Sequence, residues 1–192
     1  MQVLKDEIRS RIIEAATEEF LAFGFQLTST RKIISKAKIS KGNLYNYFNS
    51  KEELFYTITS PVYDYLNSTM EKTFDHGETE KFNPIAIHTL AVTLGEMLSH
   101  YQKQFIILMT KSEGTKYANF KDQLIDKLSE HFLNSNRSSN NNEELDLLMK
   151  IVAANFIGAL IEIAKEYKDR EWAMNNVELY FKYHFNGIQQ FF

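Results

Sequence analysis

Between positions 31 and 51 the chain concentrates positive charge and has no acidic residue. The basic residues are Arg31, Lys32, Lys36, Lys38, Lys41 and Lys51. Such clusters pair with phosphate oxygens. In the same stretch, the amides of Asn43 and Asn46 can read base edges, and Lys41 can pair with guanine or phosphate. Tyr45 and Tyr47 carry hydroxyls on stiff rings suited to phosphate contacts. The stretch therefore predicts a surface that faces nucleic acid.

Two short helices and a tight turn should position these side chains. Thr28 or Ser29 can cap the first helix by accepting a hydrogen bond from a backbone amide. Ile33 and Ala37 then fall four residues apart on one buried face.

The second helix and its successor have similar start signals. Ser40 can cap the second helix, and Leu44 and Phe48 give its apolar side. Ser50 and Glu53 have the spacing of a capping box, so a third helix should begin directly after Ser50. Short helices at steep angles are what a helix-turn-helix requires, because its second helix must project into the major groove.

Residues 40–54, SKGNLYNYFNSKEEL, resemble the pattern SxGxLYxYFxSKEEL of the TetR (tetracycline-repressor) family. Gly24 and Phe25 match the Gly-Phe pair that ends the first helix in that family. The resemblance is tight over residues 1–55 and only architectural beyond. It implies a helix-turn-helix DNA-binding domain in residues 1–50 and a ligand-binding and dimerisation domain in residues 51–192.

The residues and the resemblance together define a candidate DNA-binding set. It contains Thr28, Ser29, Thr30, Lys38, Lys41, Gly42, Asn43, Tyr45, Asn46, Tyr47 and Lys51. Gly42 lets the backbone approach the DNA closely. Taken singly, each lysine or asparagine fits a solvated surface equally well, and each tyrosine fits a packing role. The joint pattern favours DNA.

Lys38 departs from the family, which usually has a glycine in the turn. If this position needs a positive φ, Lys38 carries a modest strain. Alternatively, the turn relaxes and the extra cation faces phosphate.

The composition indicates that the N-terminal part of the chain is basic and that the rest of the chain is acidic. Residues 1–58 carry nine basic and seven acidic residues, whereas the remaining residues carry 13 and 18. This split is expected when only one end of a protein meets DNA. The chain has no cysteine, which excludes disulfides and thiolate metal sites. We expect a cytoplasmic protein, because the N-terminus lacks a signal core and the 14-residue apolar run 151–164 is too short to span a bilayer.

Helical spacing of apolar residues, with only two prolines and seven glycines, predicts an all-α fold of about nine helices. Besides the two short helices, we expect helices at about 4–23, 51–74, 84–102, 104–111, 116–134, 143–168 and 171–191. Pro61 should kink the helix in which it lies and is our candidate hinge between the two domains. The segment 134–142, NSNRSSNNN, should be a mobile loop, with a nucleic-acid contact as the less favoured reading.

The last two predicted helices are apolar on more than one side. Apolar residues from Leu145 to Ile163 cover more than one stripe, Gly158 permits close approach of another helix, and the final helix repeats the pattern. A helix that is apolar on two sides is buried on two sides. In the TetR family these helices form a homodimer interface. The alternative is a larger monomeric core.

The resemblance also implies a pocket for a small lipophilic inducer. The candidate lining residues are Tyr63, His88, Phe105, Met109, Tyr117, Phe120, Asn155, Phe156 and Glu162. Aromatic residues at helical spacing also fit a plain core. Glu162 would favour a cationic, lipophilic compound if it faces the pocket; otherwise it is an interface or solvent-facing carboxylate.

Catalysis is not indicated. The five histidines are scattered, with no HExxH, phosphate loop or nucleophile-elbow motif. We therefore expect no catalytic residues, no metal and no cofactor. The favoured hypothesis is a homodimeric repressor released from a palindromic DNA operator by an inducer. The alternative is an architectural or cell-division DNA-binding protein of the same fold that responds to a protein partner.

Overall fold

The computed structural model describes residues 2–75, 84–134 and 143–188, and side chains within 5–71, 87–134 and 143–184. In this part of the chain all regular structure is helical, which confirms the all-α prediction. The eight helices are α1 (Gln2–Leu27), α2 (Thr30–Ala37), α3 (Lys41–Tyr47), α4 (Lys51–Asp75), α5 (Pro84–Thr110), α6 (Phe120–Asn134), α7 (Glu143–Lys165) and α8 (Arg170–Ile188). Residues 76–83, which lie between the helices expected at 51–74 and 84–102, and most of the segment 134–142 lie outside the described residues.

Two helices depart from regular geometry near predicted boundaries. Gly24, the predicted end of the first helix, has φ 75° and ψ 170°, so it breaks the helical path although α1 resumes for three residues. The two helices expected at 84–102 and 104–111 form the single helix α5, which is kinked at Tyr101 (φ −129°, ψ 22°). Helix α4 continues across Pro61, and the predicted kink there stays a prediction.

The chain divides into two compact units. The first contains Met1–Asp64 and Lys103–Asn119, and the second contains Tyr65–Gln102 and Phe120–Phe192. The boundary inside α4 falls three residues after Pro61. The predicted boundary at residue 50 between a DNA-binding domain and a ligand-binding domain stays a prediction, because a division by packing does not show which residues bind DNA.

The first unit is built around a cluster of phenylalanine rings. Phe55 of α4 lies with its ring centroid 5.2 Å from those of both Phe20 and Phe25 of α1, in edge-to-face geometry. The end of α5 joins this unit because the amide of Phe25 donates to the carbonyl of Lys111 at 3.0 Å. These contacts join α1, α4 and the segment that follows α5 within the first unit.

The second unit packs α5 to α8 around apolar side chains. Phe132 of α6 packs with Met149, Val152 and Ala153 of α7. Phe156 of α7 lies 4.9 Å from Phe181 of α8 between ring centroids. Among the described helices, α7 is long and apolar enough to cross a membrane by length and composition, but the core helix of a soluble protein has the same character. The sequence estimate was shorter because it counted only residues 151–164.

Candidate nucleic-acid interface

Helix α2 begins at a serine cap. Ser29 has an extended backbone, and its hydroxyl accepts a hydrogen bond from the amide of Lys32 at 3.3 Å. Thr28 is only 2% exposed, and its hydroxyl donates to the carbonyl of Glu19 at 3.0 Å. Of the two predicted caps, Ser29 is therefore the one that forms. The side chain of Thr28 ties α1 to the start of α2, and a DNA contact by Thr28 stays a prediction.

Helix α3 is anchored on one face and exposed on the other. The Ser40 hydroxyl accepts from the amide of Asn43 at 3.2 Å, as the sequence predicts. Leu44 and Phe48 are buried. The exposed residues are Lys41, Gly42, Tyr45 and Asn46, whereas Asn43 and Tyr47 are half-buried. The residues predicted to read DNA thus lie mainly on the face that packing leaves open.

The turn between α2 and α3 contains a left-handed lysine. Lys38 has φ 53° and ψ 48°, and it is the one non-glycine residue with positive φ in the described chain. The amide of Lys38 donates to the carbonyl of Ser35, and that of Ile39 donates to the carbonyl of Ile34, both at 3.2 Å. This is a Schellman motif, which usually has glycine at the left-handed position. The first of the two alternatives for Lys38, a positive φ, is confirmed.

Two of the six basic residues between positions 31 and 51 form intramolecular hydrogen bonds or ion pairs. The Lys51 ammonium donates to the carbonyls of Phe25 at 2.8 Å and Thr28 at 3.0 Å. Lys36 forms ion pairs with Glu18 at 2.8 Å and Glu19 at 3.3 Å. Their side chains stabilise the unit, and phosphate would have to compete with these partners.

The Lys36 pair also shifts the ionisation of its members. The hydrogen bond from Lys36 lowers the pKa of Glu18, and the same bond raises the pKa of Lys36. Both groups therefore stay charged. The sequence missed this pairing because the acidic partners lie on α1, outside the stretch with only basic residues.

The remaining cations form an exposed surface. Arg31, Lys32, Lys38 and Lys41 are exposed. Two of them rest on aromatic rings: the Lys32 ammonium lies 4.2 Å from the ring centroid of Phe23, and the Lys41 ammonium lies 5.9 Å from that of Tyr45. These contacts hold the charges near the α2–α3 surface without neutralising them.

Two arginines of α1 contact the helix-turn-helix, and the sequence analysis did not single them out. The Arg11 guanidinium donates to the carbonyls of Ala37 and Lys38, the latter at 3.0 Å. The Arg9 guanidinium lies 5.5 Å from the ring centroid of Phe48. Because these partners are 26 to 39 positions away, local spacing could not reveal the contacts.

The predicted pocket residues are distributed over both units. Tyr63, Phe105, Met109 and Tyr117 belong to the first unit, and His88, Phe120, Asn155, Phe156 and Glu162 belong to the second. In the first unit, the rings of Tyr63 and Tyr117 stack with centroids 4.4 Å apart, and Phe105 and Met109 are buried. A role for any of these residues in ligand binding stays a prediction.

Three polar members of that set are exposed. His88 pairs with Glu178 at 3.2 Å, and Glu162 pairs with Lys165 at 2.7 Å. Asn155 lies exposed on α7. The position of Glu162 fits the interface or solvent-facing alternative. Among the described residues, no group of three or more His, Asp or Glu side chains could hold a metal ion.

An open groove of about 640 Å³ follows α4 in the first unit. Its lining includes Glu52, Glu53, Tyr56, Ser60 and Asp64. The predicted pocket residues do not line this groove. It is broadly open to solvent, so it does not have the enclosure expected of a small-molecule pocket.

The geometry defines a helix-turn-helix, and comparison with known proteins shows which regulators have a similar segment. Residues 12–58 match the family described as "Bacterial regulatory proteins, tetR family". The HTH-type transcriptional regulator YfiR of Bacillus subtilis is 33% identical over 72 residues, which is 38% of this chain and 35% of YfiR. Residues 12–58 are therefore similar to the DNA-binding segment of TetR-family regulators. Its match to the first curated relatives spans only about a quarter to a third of their length.

Solved structures extend the likeness of the fold to most of the chain. A TetR-like transcriptional regulator from Rhodococcus sp. RHA1 has a TM-score of 0.57 and 21% identity, covering 89% of this chain and 91% of that chain. AibR, solved with isovaleryl coenzyme A and operator DNA, has a TM-score of 0.53 and 18% identity, covering 90% and 96%. At these identities the likeness shows the fold alone.

Proposed function

We propose that this protein is a sequence-specific DNA-binding transcriptional regulator. In this proposal it is a homodimeric repressor in the cytoplasm that a small-molecule inducer releases from a palindromic operator. The observation that carries the proposal is the exposed face of α3, where Lys41, Tyr45 and Asn46 lie beside the cations of α2 and the turn.

The dimensions and chemistry of α3 suit the major groove. Seven residues span about 10 Å at 1.5 Å per residue, enough to present side chains to three or four base pairs. The Asn46 amide can make a paired hydrogen bond to adenine, and Lys41 can bind guanine or phosphate. Arg31 and Lys32 lie near the start of α2, where they can bind the flanking phosphates. The buried side of α3 fixes the angle at which these groups are presented.

An exposed apolar surface on α7 and α8 supports the homodimer. On α7, Leu147 is 62% exposed and Ile151 is 47% exposed; on α8, Leu179 is 68% exposed and Tyr183 is 76% exposed. A Cβ atom at Gly158 of α7 would meet nothing within 4 Å, so another helix can approach there. Covering such side chains with a second copy removes apolar surface from water. Two copies then present two α3 helices to a palindromic site.

The inducer is supported by analogy of fold. AibR, which shares the fold, was solved with both isovaleryl coenzyme A and operator DNA. We extend the idea of a small lipophilic effector to this chain without extending the ligand itself. The exposed position of Glu162 gives no support to a preference for cations.

Selection from random-sequence DNA followed by a mobility-shift titration tests the proposal. We expect an enriched palindromic site, and we expect Asn46→Ala to weaken binding to it by about tenfold or more while binding to unrelated DNA is retained. The matched control is Asn119→Ala, which changes an exposed asparagine in the 111–119 loop. Binding of equal strength to all sequences would refute the regulator and favour the architectural alternative.

A further inference from the structure

Arg11 of α1 binds the end of α2 at the point where the chain turns toward α3. Its guanidinium donates to the carbonyl of Ala37, the last residue of α2, and to the carbonyl of Lys38 at 3.0 Å. The last carbonyls of a helix have no partner within that helix. A cation at this end also interacts favourably with the helix dipole. Arg11 therefore satisfies two acceptors that the fold leaves open.

The bonds from Arg11 bear on the backbone conformation of Lys38, which is left-handed. A left-handed backbone is strained for a residue with a Cβ atom, because the Cβ atom comes too close to the following carbonyl oxygen. Relaxing φ and ψ at Lys38 would rotate the following peptide and turn its carbonyl away from Arg11. The bond from Arg11 to the Lys38 carbonyl thus favours the strained conformation over the relaxed one.

The surroundings of Arg11 assign it to this role. Arg11 lines a cleft of about 250 Å³ together with Glu14, Glu18, Lys36 and Lys38. In that cleft Glu18 is paired with Lys36 at 2.8 Å. Arg11 is half-buried, and its guanidinium is directed to the backbone of the turn. It therefore acts within the protein and not on a phosphate.

We propose that Arg11 is a positioning residue for sequence-specific DNA binding. It holds Lys38 in the left-handed conformation, and Lys38 sets the direction in which α3 leaves the turn. The inference rests on the proposed function of α3 as the reader of bases. It predicts that losing Arg11 harms recognition of the specific site far more than attraction to DNA in general.

The first experiment measures binding of the selected palindromic site and of random-sequence DNA. The variants are Arg11→Met, which keeps an unbranched stem but no donor, Lys38→Gly, which removes the strain, and the double variant. We expect Arg11→Met to weaken binding to the selected site by about tenfold, the effect of losing hydrogen bonds from a charged donor. Binding to random DNA should change by less than about twofold. Lys127→Met serves as the control, since Lys127 is an exposed cation on α6, outside the helix-turn-helix.

The double variant distinguishes a positioning role of Arg11 from a direct contact with DNA. In the Lys38→Gly background the turn no longer needs support, so the double variant should bind the selected site within about twofold of Lys38→Gly alone. An equal loss on both DNAs would mean that Arg11 binds phosphate directly. Either that result or a tenfold loss without rescue would overturn the inference.

A second measurement needs no DNA and so separates this inference from the proposed function. The amide of Ile39 donates to the carbonyl of Ile34 only while the turn is closed. Its hydrogen exchange should be about tenfold faster in Arg11→Met than in the unchanged protein, and Lys38→Gly should reverse the effect. Unchanged exchange at Ile39 would overturn the role of Arg11. Faster exchange in a protein without sequence preference would instead refute the proposed function and leave the role of Arg11 in the turn intact.

Discussion

At the scale of single residues, Lys38 shows how one backbone position connects fold and function. The Schellman motif at the end of α2 places this residue in the left-handed region, at φ 53°. The sequence revealed the conflict because a lysine stands where the family usually has glycine. The sequence could not reveal how the left-handed turn is stabilised, because the bonds from Arg11 join residues 26 and 27 positions apart.

We predict that Lys38→Gly raises the free energy of unfolding by about 0.5–1 kcal/mol. Relief of the left-handed strain should exceed the additional backbone entropy that glycine has in the unfolded chain. Thermal unfolding measures the change. Lys32→Gly is the control, because Lys32 is exposed inside α2 with ordinary helical geometry, and glycine should lower stability there. A loss of stability in Lys38→Gly would show that the turn is not strained.

A second residue-scale prediction concerns His131 on α6. Burial lowers the pKa of His131. The unfolded chain then binds a proton more readily than the folded one, so unfolding becomes easier as the pH falls below about 6.5, the ordinary histidine value, toward the lower folded pKa. Above that window the contribution of His131 is constant.

Urea unfolding between pH 7.5 and 5 measures this dependence. We expect His131→Gln to flatten the loss of stability at acid pH relative to the unchanged protein. His88→Gln is the control, since His88 is exposed on α5 and pairs with Glu178. An unaltered pH dependence in His131→Gln would contradict the assignment.

At the scale of elements, the close approach of α5 and α8 depends on Gly95. A Cβ atom there would lie 2.3 Å from Cγ of Met174 and 3.4 Å from the carbonyl oxygen of Arg170. We predict that Gly95→Ala lowers the free energy of unfolding by about 1–3 kcal/mol, the usual cost of overpacking. Adding Met174→Ala should recover part of the loss, because it removes the nearest clash. Chemical denaturation of the four proteins gives the coupling, and additive effects would show that the two residues do not meet.

The elements of the helix-turn-helix were predictable because their signals are local. The Ser40 cap and the buried pair Leu44 and Phe48 follow from spacing within one or two turns. The roles of Arg11 and Lys51 were not predictable in this way. Arg11 binds carbonyls 26 and 27 positions away, and Lys51 binds carbonyls 23 and 26 positions away. A count of cations therefore overstated the surface available to phosphate.

The sequence predicted the apolar composition of the last two helices, but it predicted only partly which of their side chains are exposed. The sequence identified α7 as apolar on two sides, and the structure leaves Leu147 and Ile151 exposed there. On α8 it did not single out Leu179 and Tyr183, which are the more exposed side chains. Periodicity identifies an apolar stripe, but only the packed neighbours decide which stripe is covered.

At the scale of the whole molecule, the proposed homodimer makes the exposed stripe of α7 testable. We predict that Ile151→Asp converts the protein to a monomer, because a desolvated carboxylate in an apolar interface is costly. Analytical ultracentrifugation measures the mass, and the specific DNA affinity should fall with it, since one α3 reads only half of a palindrome. Lys127→Glu on α6 is the control for added negative charge. A dimer that persists in Ile151→Asp would place the interface elsewhere.

The exposed face of α3 and the cations beside it predict DNA binding that depends on both sequence and salt. Fluorescence anisotropy titrations of the selected palindromic site and of a scrambled duplex, each at two salt concentrations, measure specificity and charge contact together. We predict that the protein binds the palindrome at least about a thousandfold more tightly, and that added salt weakens both complexes. Lys41→Ala should reduce the salt dependence by about one phosphate contact. Equal affinity for the two duplexes would contradict the claim that the exposed face of α3 reads DNA sequence.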